Sequence, residues 1–336
     1  MRRPCGSPGV LRRLLNVHIY SSLLLNHPDL NTWLGALERR RNLPLPISDN
    51  TMLRLIHTEG NGLRCDRYGS VCWFYWYRPS PPSPIDLDAL AYFTHKAGAQ
   101  QWLLHWMHDR GKNPHQQRRW SSTVPLSWHA AEHGIHYLLK ADQGLSPGLF
   151  LDQRQNRRWV LDNAANKNVL NLFCYTGGFS LCATRGQATS LTSVDTSKRT
   201  LDWARENFVL NHFNTDRVEF WTADAQFFLN RCHKRGRKFD LIICDPPSFA
   251  RNKAGVFVLE RDLGFLLDQV WRLLSPGGRL LLSTNYEKWN ANHFIRYIDQ
   301  TLAGRTYRLE PLPVPDGDFE ADGQAAILKG TLIAKF

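Results

Sequence analysis

The chain has 336 residues, 43% of them hydrophobic and 21% charged, which is ordinary globular composition and enough for two compact domains. It contains no run of about 18 apolar residues, so the sequence predicts no transmembrane helix. The formal net charge of +12 favours an anionic partner, most commonly nucleic acid, over a small molecule. Residues 1–140 hold 17 Lys and Arg against 9 Asp and Glu, so most of the excess charge lies in the first part of the chain.

The seven cysteines are an odd number without a C-x-x-C pair, which indicates neither a disulfide framework nor a zinc site. A reducing compartment, the cytoplasm, fits this usage best. The first 28 residues carry four arginines and no acid. They are read either as a targeting segment or as an ordinary basic amphipathic start, and the second reading is preferred because no small-residue cleavage site follows.

The sequence pattern predicts two regions within the first 140 residues. Residues 1–48 form a basic leader with one helix at 30–41, and residues 51–140 form a small α/β domain with an aromatic strand at 70–77. The stretch at 108–120 interleaves basic and aromatic residues, which suits phosphate contacts with base stacking, but an exposed solvated loop is an equal reading.

Residues 141–336 are predicted to form a second α/β domain. The stretch at 168–178 is read as a central strand that ends in a tight turn at Gly177 and Gly178, where a strand passes into a helix and backbone can approach a ligand closely. Three further strands end in Asp195, Asp224 and Asp245. Carboxyl ends of parallel strands meet at one edge of a sheet, so these acids predict one ligand crevice, although each could instead cap the next helix.

The chain contains the ordered motifs G-L-F-L-D-Q-R-Q-N-R-R, N-L-F-C-Y-T-G-G-F, S-V-D-T-S, D-P-P-S-F and L-S-P-G-G. With R-L-I-H-T-E-G-N-G-L-R-C-D-R-Y-G at 54–69 and L-K-G at 328–330, they cover roughly residues 50–336. They resemble the large-subunit (23S) ribosomal RNA methyltransferases that use S-adenosylmethionine, a family with a cytosine-C5 and a guanine-N7 branch. The resemblance implies a Rossmann-like class I methyltransferase domain with a mostly parallel seven-stranded sheet. Members often carry an N-terminal PUA-type RNA-binding module, for which residues 1–48 are too short.

The resemblance also implies site residues. It implies that Asp152 and Arg154 border the ammonium and carboxylate at the methionine end of the cofactor. The order of the strand-terminal acids predicts Asp195, 18 residues after Gly177, on the ribose of the cofactor and Asp224 near its adenine. The remaining residues expected at S-adenosylmethionine are Phe150, Phe173, Tyr175, Thr176, Gly177, Gly178, Thr196, Ala225 and Asp245. No metal is expected.

The segment D-P-P-S-F is expected to hold the acceptor base in line with the methyl group. Asp245, Pro246, Pro247, Ser248 and Phe249 are its residues, and Phe249 could stack on an unpaired or flipped base. In the resembled cytosine-C5 branch the catalytic cysteine lies just after the strand that follows P-G-G. This chain has Asn285 at that place, as the guanine-N7 branch has asparagine. Guanine N7 is therefore predicted as the target without a covalent intermediate, and Cys244 is read as a core residue.

Cytosine C5 remains the alternative target. Two alternatives of other classes stay open, a methyltransferase for protein or small molecules and a catalytically inactive RNA-binding relative. The expected partner is 23S ribosomal RNA, free or in a pre-ribosomal particle, with Arg251 to Lys253 as a further basic loop.

Overall fold

The computed structural model describes residues 27–43, 50–108, 118–252, 255–313, 316–320 and 328–336. The chain divides into two compact units, Met1–Val124 and Pro125–Phe336. The leader before residue 27 and most of the basic stretch at 108–120 lie outside the described residues. None of the described helices is long and apolar enough to cross a bilayer.

In the first unit, helix α1 and a five-stranded sheet enclose an aromatic core. The helix has the predicted bounds, and the sheet order is β1-β2-β3-β4-β5. The aromatic strand is core, because Trp73 and Phe74 are fully buried. A capping box between Ser83 and Asp86 starts helix α2, and Pro84 occupies its first turn. The elements are α1 Leu30–Arg41, β1 Met52–Ile56, β2 Leu63–Tyr68, β3 Val71–Trp76, α2 Pro84–Lys96, β4 Gln101–Trp106 and β5 Arg119–Ser121.

The second unit begins with an antiparallel hairpin of β6, Ser127–Glu132, and β7, Ile135–Lys140. The sequence assigned these residues to the small domain, but the structure places them in the second unit. Two asparagines, one in the later helix Lys198–Leu210 and one just after its end, bond the backbone of β7: Asn207 Oδ1 accepts from Leu138 N at 2.7 Å and Asn211 Oδ1 from His136 N at 2.8 Å. This long-range pairing has no local sequence signal.

A seven-stranded sheet forms the centre of the second unit, as predicted, with the order β10-β9-β8-β11-β14-β16-β15. The five neighbouring strands β10, β9, β8, β11 and β14 are parallel to one another. β16 pairs antiparallel with both β14 and β15. The strands are β8 Asn168–Leu172, β9 Ser190–Asp195, β10 Val218–Thr222, β11 Phe239–Cys244, β14 Leu274–Thr284, β15 Tyr307–Pro311 and β16 Lys329–Lys335.

Helices connect the parallel strands from β8 to β14, one further helix precedes β8, and another follows β14. They are α3 Arg154–Asn163, α4 Gly178–Arg185, α5 Lys198–Leu210, α6 Ala225–Lys234, α7 Leu259–Leu273 and α8 Ala291–Thr301. The chain runs from β8 outward to β10 and then returns to β11 on the other side of β8. Strand order therefore reverses between β8 and β11, and ligands of open α/β sheets bind at the carboxyl ends of strands at such a point.

The segment after D-P-P-S is a second antiparallel hairpin, not the basic loop that was predicted. Its strands are β12, Phe249–Asn252, and β13, Gly255–Val258. Arg251 is exposed on β12, and Lys253 lies outside the described residues. Neither F-A-R-N nor G-V-F-V alternates apolar and polar residues, so the sequence carries no strand signal there.

Candidate active site at the carboxyl edge of the central sheet

The loop after β8 has a strained backbone. Phe173 and Tyr175 have φ angles of 57° and 50°, and Gly177 has a φ of 83°. Left-handed backbone is uncommon in residues other than glycine and clusters at ligand sites. A Cβ on Gly177 would lie 3.1 Å from the Cβ of Ala204, so this position favours glycine both by conformation and by space. The double glycine therefore shapes the loop, as the sequence indicated.

Strand register brings the polar strand ends together. Leu172 pairs with both Val194 and Cys244, and Cys244 also pairs with Leu282. The next residue on each strand consequently lies in one row: Phe173, Asp195, Asp245 and Ser283. The predicted crevice follows from this alignment of parallel strands.

Asp195 fixes the conformation of the loop. Its Oδ2 accepts from Tyr175 N at 3.0 Å, and its Oδ1 accepts from Ser197 N at 2.9 Å and from Thr200 Oγ1 at 3.2 Å. A carboxylate has about four acceptor positions, so these bonds leave room for a ribose hydroxyl. Asp224 does cap a helix, because its Oδ1 accepts from Gln226 N at 2.9 Å at the start of α6.

Asp245 is held by two side chains. Ser283 Oγ donates to its Oδ1 at 2.7 Å, and Gln153 Nε2 donates to its Oδ2 at 2.9 Å. Burial raises the pKa of Asp245 to about 6; these two bonds act in the opposite direction, whereas the charge of Asp152 adds to the rise. The carboxyl group is therefore mostly ionised at neutral pH, but it titrates within the physiological range.

These groups border a cleft of about 940 Å³, which is at the large end of the volumes that hold small ligands. Most of the predicted residues line it. They are Phe150, Asp152, Phe173, Tyr175, Thr176, Gly178, Asp195, Thr196, Asp224, Ala225, Asp245, Pro246, Pro247, Ser248, Phe249 and Asn285. Gly177 instead starts α4 beneath the loop.

Arg154 has other partners than the predicted cofactor carboxylate. Its Nη1 bonds Asp316 at 2.7 Å and Asp318 at 3.1 Å, and it is not among the residues that line the cleft. The neighbouring Arg157 does line the cleft, but its Nε and Nη2 bond Glu132 at 2.6 and 2.8 Å. The carboxylates that pair with the guanidinium groups of Arg154 and Arg157 lie far from them in the sequence, so the local sequence pattern could not predict these ion pairs.

Two polar residues of the site were missed. Ser283 is the penultimate residue of β14, which ends at Thr284, so a search for polar residues near strand ends could have found it. Gln153 had no such signal, since its side chain is directed by the short 3₁₀ turn Leu151–Gln153. Among the described residues, no group of three or more His, Cys, Asp or Glu is placed to hold a metal ion.

The fold and the site can be compared with known proteins. The family model described as S-adenosylmethionine-dependent methyltransferase matches residues 83–330, well over half of the chain. The chain belongs to this family. Its cofactor is S-adenosylmethionine, and the resemblance drawn from the sequence motifs is confirmed.

Two curated relatives are ribosomal RNA methyltransferases. The large subunit methyltransferase K/L of Pseudomonas fluorescens is 42% identical over 197 residues, which are 57% of this chain and 24% of that protein. The large subunit methyltransferase K of Neisseria meningitidis is 37% identical over 201 residues, 59% of this chain and 56% of that protein. The chain thus spans about a quarter to a half of the length of these relatives.

A solved structure resembles nearly the whole fold. SMU.776, described as a methyltransferase and complexed with SAH, superposes with a TM-score of 0.78 and 28% identity, covering 91% of this chain and 80% of that one. The predicted Rossmann-like methyltransferase fold is confirmed. The cleft fits the cofactor, because Asp195 lies where a ribose-binding carboxylate is expected and Asp152 offers an acid for the ammonium group.

Proposed function

We propose that this methyltransferase transfers the methyl group of S-adenosylmethionine to guanine N7 in the RNA of the large ribosomal subunit. Relatives with that RNA in their names support the substrate class, and the net charge of +12 agrees with an RNA partner. The phenyl ring of Phe249 is 58% exposed at the cleft, where an unpaired base could stack on it.

The observation that carries the choice of N7 is the polar pair at the rim. Ser248 Oγ donates to Asn285 Oδ1 at 3.5 Å, and both residues line the cleft. Guanine N7 has a lone pair and no proton, so transfer to it requires orientation but neither a base nor a covalent bond to the enzyme. The Asn285 amide is proposed to donate to O6, the acceptor beside N7.

The thiols support a non-covalent route. Cytosine C5 needs a thiolate that adds to the neighbouring carbon. Cys244 is 1% exposed within the apolar cluster under the sheet, and burial raises its pKa. Cys174 lines the cleft, but burial and then the nearby Asp195 raise the pKa of its thiol, and its Sγ donates to the Tyr175 carbonyl at 3.8 Å. Both thiols are thus held in the protonated, weakly nucleophilic form.

The test uses large-subunit RNA from cells that lack the protein. After incubation with tritiated S-adenosylmethionine, borohydride and aniline treatment is expected to cleave the labelled RNA at one guanosine. Asn285→Ala is expected to lower kcat/KM about tenfold, the cost of about one lost hydrogen bond to the base, with unchanged cofactor affinity. No cleavage, together with an adduct to 5-fluorocytosine RNA that Cys174→Ser or Cys244→Ser abolishes, would assign cytosine C5 instead.

We further propose that residues 51–140 and the hairpin around Arg251 hold the RNA mainly through its phosphates. Arg64 Cζ lies 4.8 Å from the ring centre of Tyr77, which is 40% exposed, so a cation and an aromatic face adjoin on the surface. RNA binding is then expected to weaken steeply as the salt concentration rises. Arg64→Gln and Arg251→Gln should each reduce the slope of the logarithm of the binding constant against the logarithm of the salt concentration by about 0.7.

The control is Arg158→Gln, because Arg158 is already neutralised by Asp162, with Nε and Oδ2 2.8 Å apart. The salt dependence of RNA binding by Arg158→Gln should have the same slope as that of the unchanged protein. Filter binding between low and moderate salt measures all four proteins, and a flat salt dependence would contradict phosphate-dominated binding.

A further inference from the structure

Two of the three acids at the strand ends are held by the backbone that follows them. Asp195 Oδ1 accepts from Ser197 N at 2.9 Å, and Asp224 Oδ1 accepts from Gln226 N at 2.9 Å. In both cases the donor lies two residues further along the chain, which is a usual bonding pattern of aspartate in a turn or at the start of a helix. The orientation of these two carboxylates is therefore fixed by local sequence.

Asp245 cannot be held in this way, because the two residues after it are Pro246 and Pro247, which have no backbone N–H group. Two side chains donate to it instead. Ser283 Oγ donates to its Oδ1 at 2.7 Å, and Gln153 Nε2 donates to its Oδ2 at 2.9 Å. These donors lie 38 residues after and 92 residues before Asp245 in the chain. The carboxyl group of Asp245 thus depends on tertiary structure for the kind of contact that the prolines exclude.

A chain of hydrogen bonds leads to Asp245. Asn156 Nδ2 donates to Gln153 Oε1 at 2.6 Å, and Gln153 Nε2 donates to Ser283 Oγ at 3.0 Å as well as to Asp245. Asn156, Gln153 and Ser283 are all buried. The opposite orientation of the Gln153 amide would turn its oxygen toward a carboxylate oxygen, so hydrogen bonding favours the orientation observed. Every donor in this chain is thus directed toward the carboxylate, which serves only as an acceptor.

The two side chains that donate to Asp245 belong to well-packed parts of the fold. Ser283 lies on β14, which pairs in parallel with β11 just before Asp245. Gln153 ends the 3₁₀ turn Leu151–Gln153, in which Leu151 is buried. Gln153 and Asp245 also line the cleft. Side chains fixed by such a scaffold can hold another group within the narrow tolerance that a reaction requires.

We propose that Gln153 and Ser283 are positioning residues for methyl transfer: they replace the backbone donors that the D-P-P segment lacks and hold the Asp245 carboxylate toward the cleft. A carboxylate has about four acceptor positions, so these two bonds leave others for an N–H group of a ligand in the cleft. Asp245 directly precedes the residues proposed to hold the acceptor base, so a change in its orientation alters the geometry of transfer. The inference rests on the proposed RNA substrate, but not on which atom of the RNA is methylated.

Ser283→Ala tests the smaller of the two donors, because it removes only a hydroxyl group. It is expected to lower kcat about tenfold to a hundredfold, since a small displacement of a positioned group is costly to the reaction, with a smaller change in the KM for RNA. The measurement is the total tritium transferred from S-adenosylmethionine to large-subunit RNA. A kcat equal to that of the unchanged protein would overturn the proposal.

Gln153→Glu keeps the shape of the side chain but replaces the donor by a second carboxylate. Opposite Asp245 the like charges repel, so kcat at weakly alkaline pH should fall at least as far as in Ser283→Ala. One proton shared by two adjacent carboxyl groups restores a hydrogen bond, so the ratio of kcat in Gln153→Glu to kcat in the unchanged protein should rise severalfold as pH falls from about 8 to about 6.5. The other charged groups near Asp245, Asp152 on the same turn and Arg157 on α3, are present in both proteins.

Gln155→Glu is the matched control. Gln155 Nε2 also donates to an aspartate, Asp316 Oδ1, at 2.5 Å, but Gln155 is not among the described residues that line the cleft. This variant should keep the kcat and the pH profile of the unchanged protein, and the melting temperature of each variant shows whether it is folded. Equal losses of kcat in Gln153→Glu and Gln155→Glu, or a kcat ratio that does not change with pH, would overturn the proposal. Tritium is counted whichever base receives it, so an error in the proposed target atom appears only in the aniline cleavage.

Discussion

Glu132→Gln is expected to destabilise the second unit by about 3–5 kcal/mol, the usual cost of removing one partner from a buried ion pair. Glu132 accepts from Arg157 Nε at 2.6 Å and Nη2 at 2.8 Å, and its Oε2 lies 3.5 Å from Arg154 Nε. The side chains of Glu132 and Arg157 are 4% and 2% exposed. The amide keeps the shape of the carboxylate but leaves the Arg157 charge uncompensated away from water.

The matched control is Glu206→Gln, because Glu206 also pairs with a basic residue but at the surface. Its Oε1 accepts from Lys140 Nζ at 2.9 Å, and its side chain is 48% exposed. This change should cost less than about 1 kcal/mol. Denaturant titration gives both free energies of unfolding, and equal losses in the two variants would show that the buried pair contributes no more than a surface one.

The pH dependence of stability follows from the same pair. Burial alone would raise the pKa of Glu132, but Arg157 and Arg154 outweigh it and hold the pKa below its usual range. A carboxyl group with a depressed pKa in the folded state contributes stability above its unfolded value, near 4.5, and loses it as pH falls through the folded one. Glu132→Gln should accordingly reduce the difference between the free energy of unfolding at neutral pH and that at strongly acidic pH.

Asp195→Ala is expected to weaken S-adenosylmethionine binding by about 1.5–3 kcal/mol, roughly 10- to 150-fold in Kd, since a charged acceptor for the ribose is lost. The change also removes the bonds that Asp195 accepts from Tyr175 N and Ser197 N, so the loop loses its anchor. Asp195→Asn keeps one acceptor oxygen, so its Kd for the cofactor should lie between those of the unchanged protein and of Asp195→Ala. Calorimetric titration with the cofactor measures each Kd.

Asp216→Ala provides the comparison for a carboxyl group outside the cleft. Asp216 precedes β10 in an exposed turn, where its Oδ2 accepts from Asn214 Nδ2 at 3.1 Å. Its substitution should leave Kd unchanged. If Asp195→Ala bound the cofactor as tightly as Asp216→Ala, the ribose assignment would have to be abandoned.

Local sequence predicted the cleft well because its determinants are local. A polar residue at the end of a parallel strand must lie at the carboxyl edge, so Asp195, Asp224 and Asp245 could be placed together before the register was known. The same rule would have added Ser283. Of the two glycines after β8, Gly177 was informative for a similar reason, since its left-handed backbone, with a φ of 83°, favours glycine.

The missed features depend on partners that are distant in sequence. Arg154 pairs with Asp318, 164 residues later, and no spacing rule connects the two. The hairpin β6–β7 was assigned to the small domain, whereas the two residues that bond its backbone, Asn207 on α5 and Asn211 just after that helix, belong to the second unit. These pairings are determined by tertiary packing, so the sequence pattern within a short window cannot predict them.

The position of β16 between β14 and β15 constrains how the chain can fold during synthesis. β15 leaves the ribosome before β16, and among the residues that the structure describes its sheet pairs are all with β16, from Tyr307↔Lys335 to Pro311↔Thr331. Until β16 emerges, the outer side of β14 also lacks the six residue pairs that join it to this strand. The nascent sheet can therefore close around β8 and β11 first, and its last two strands add together in a step that must follow translation of residue 335.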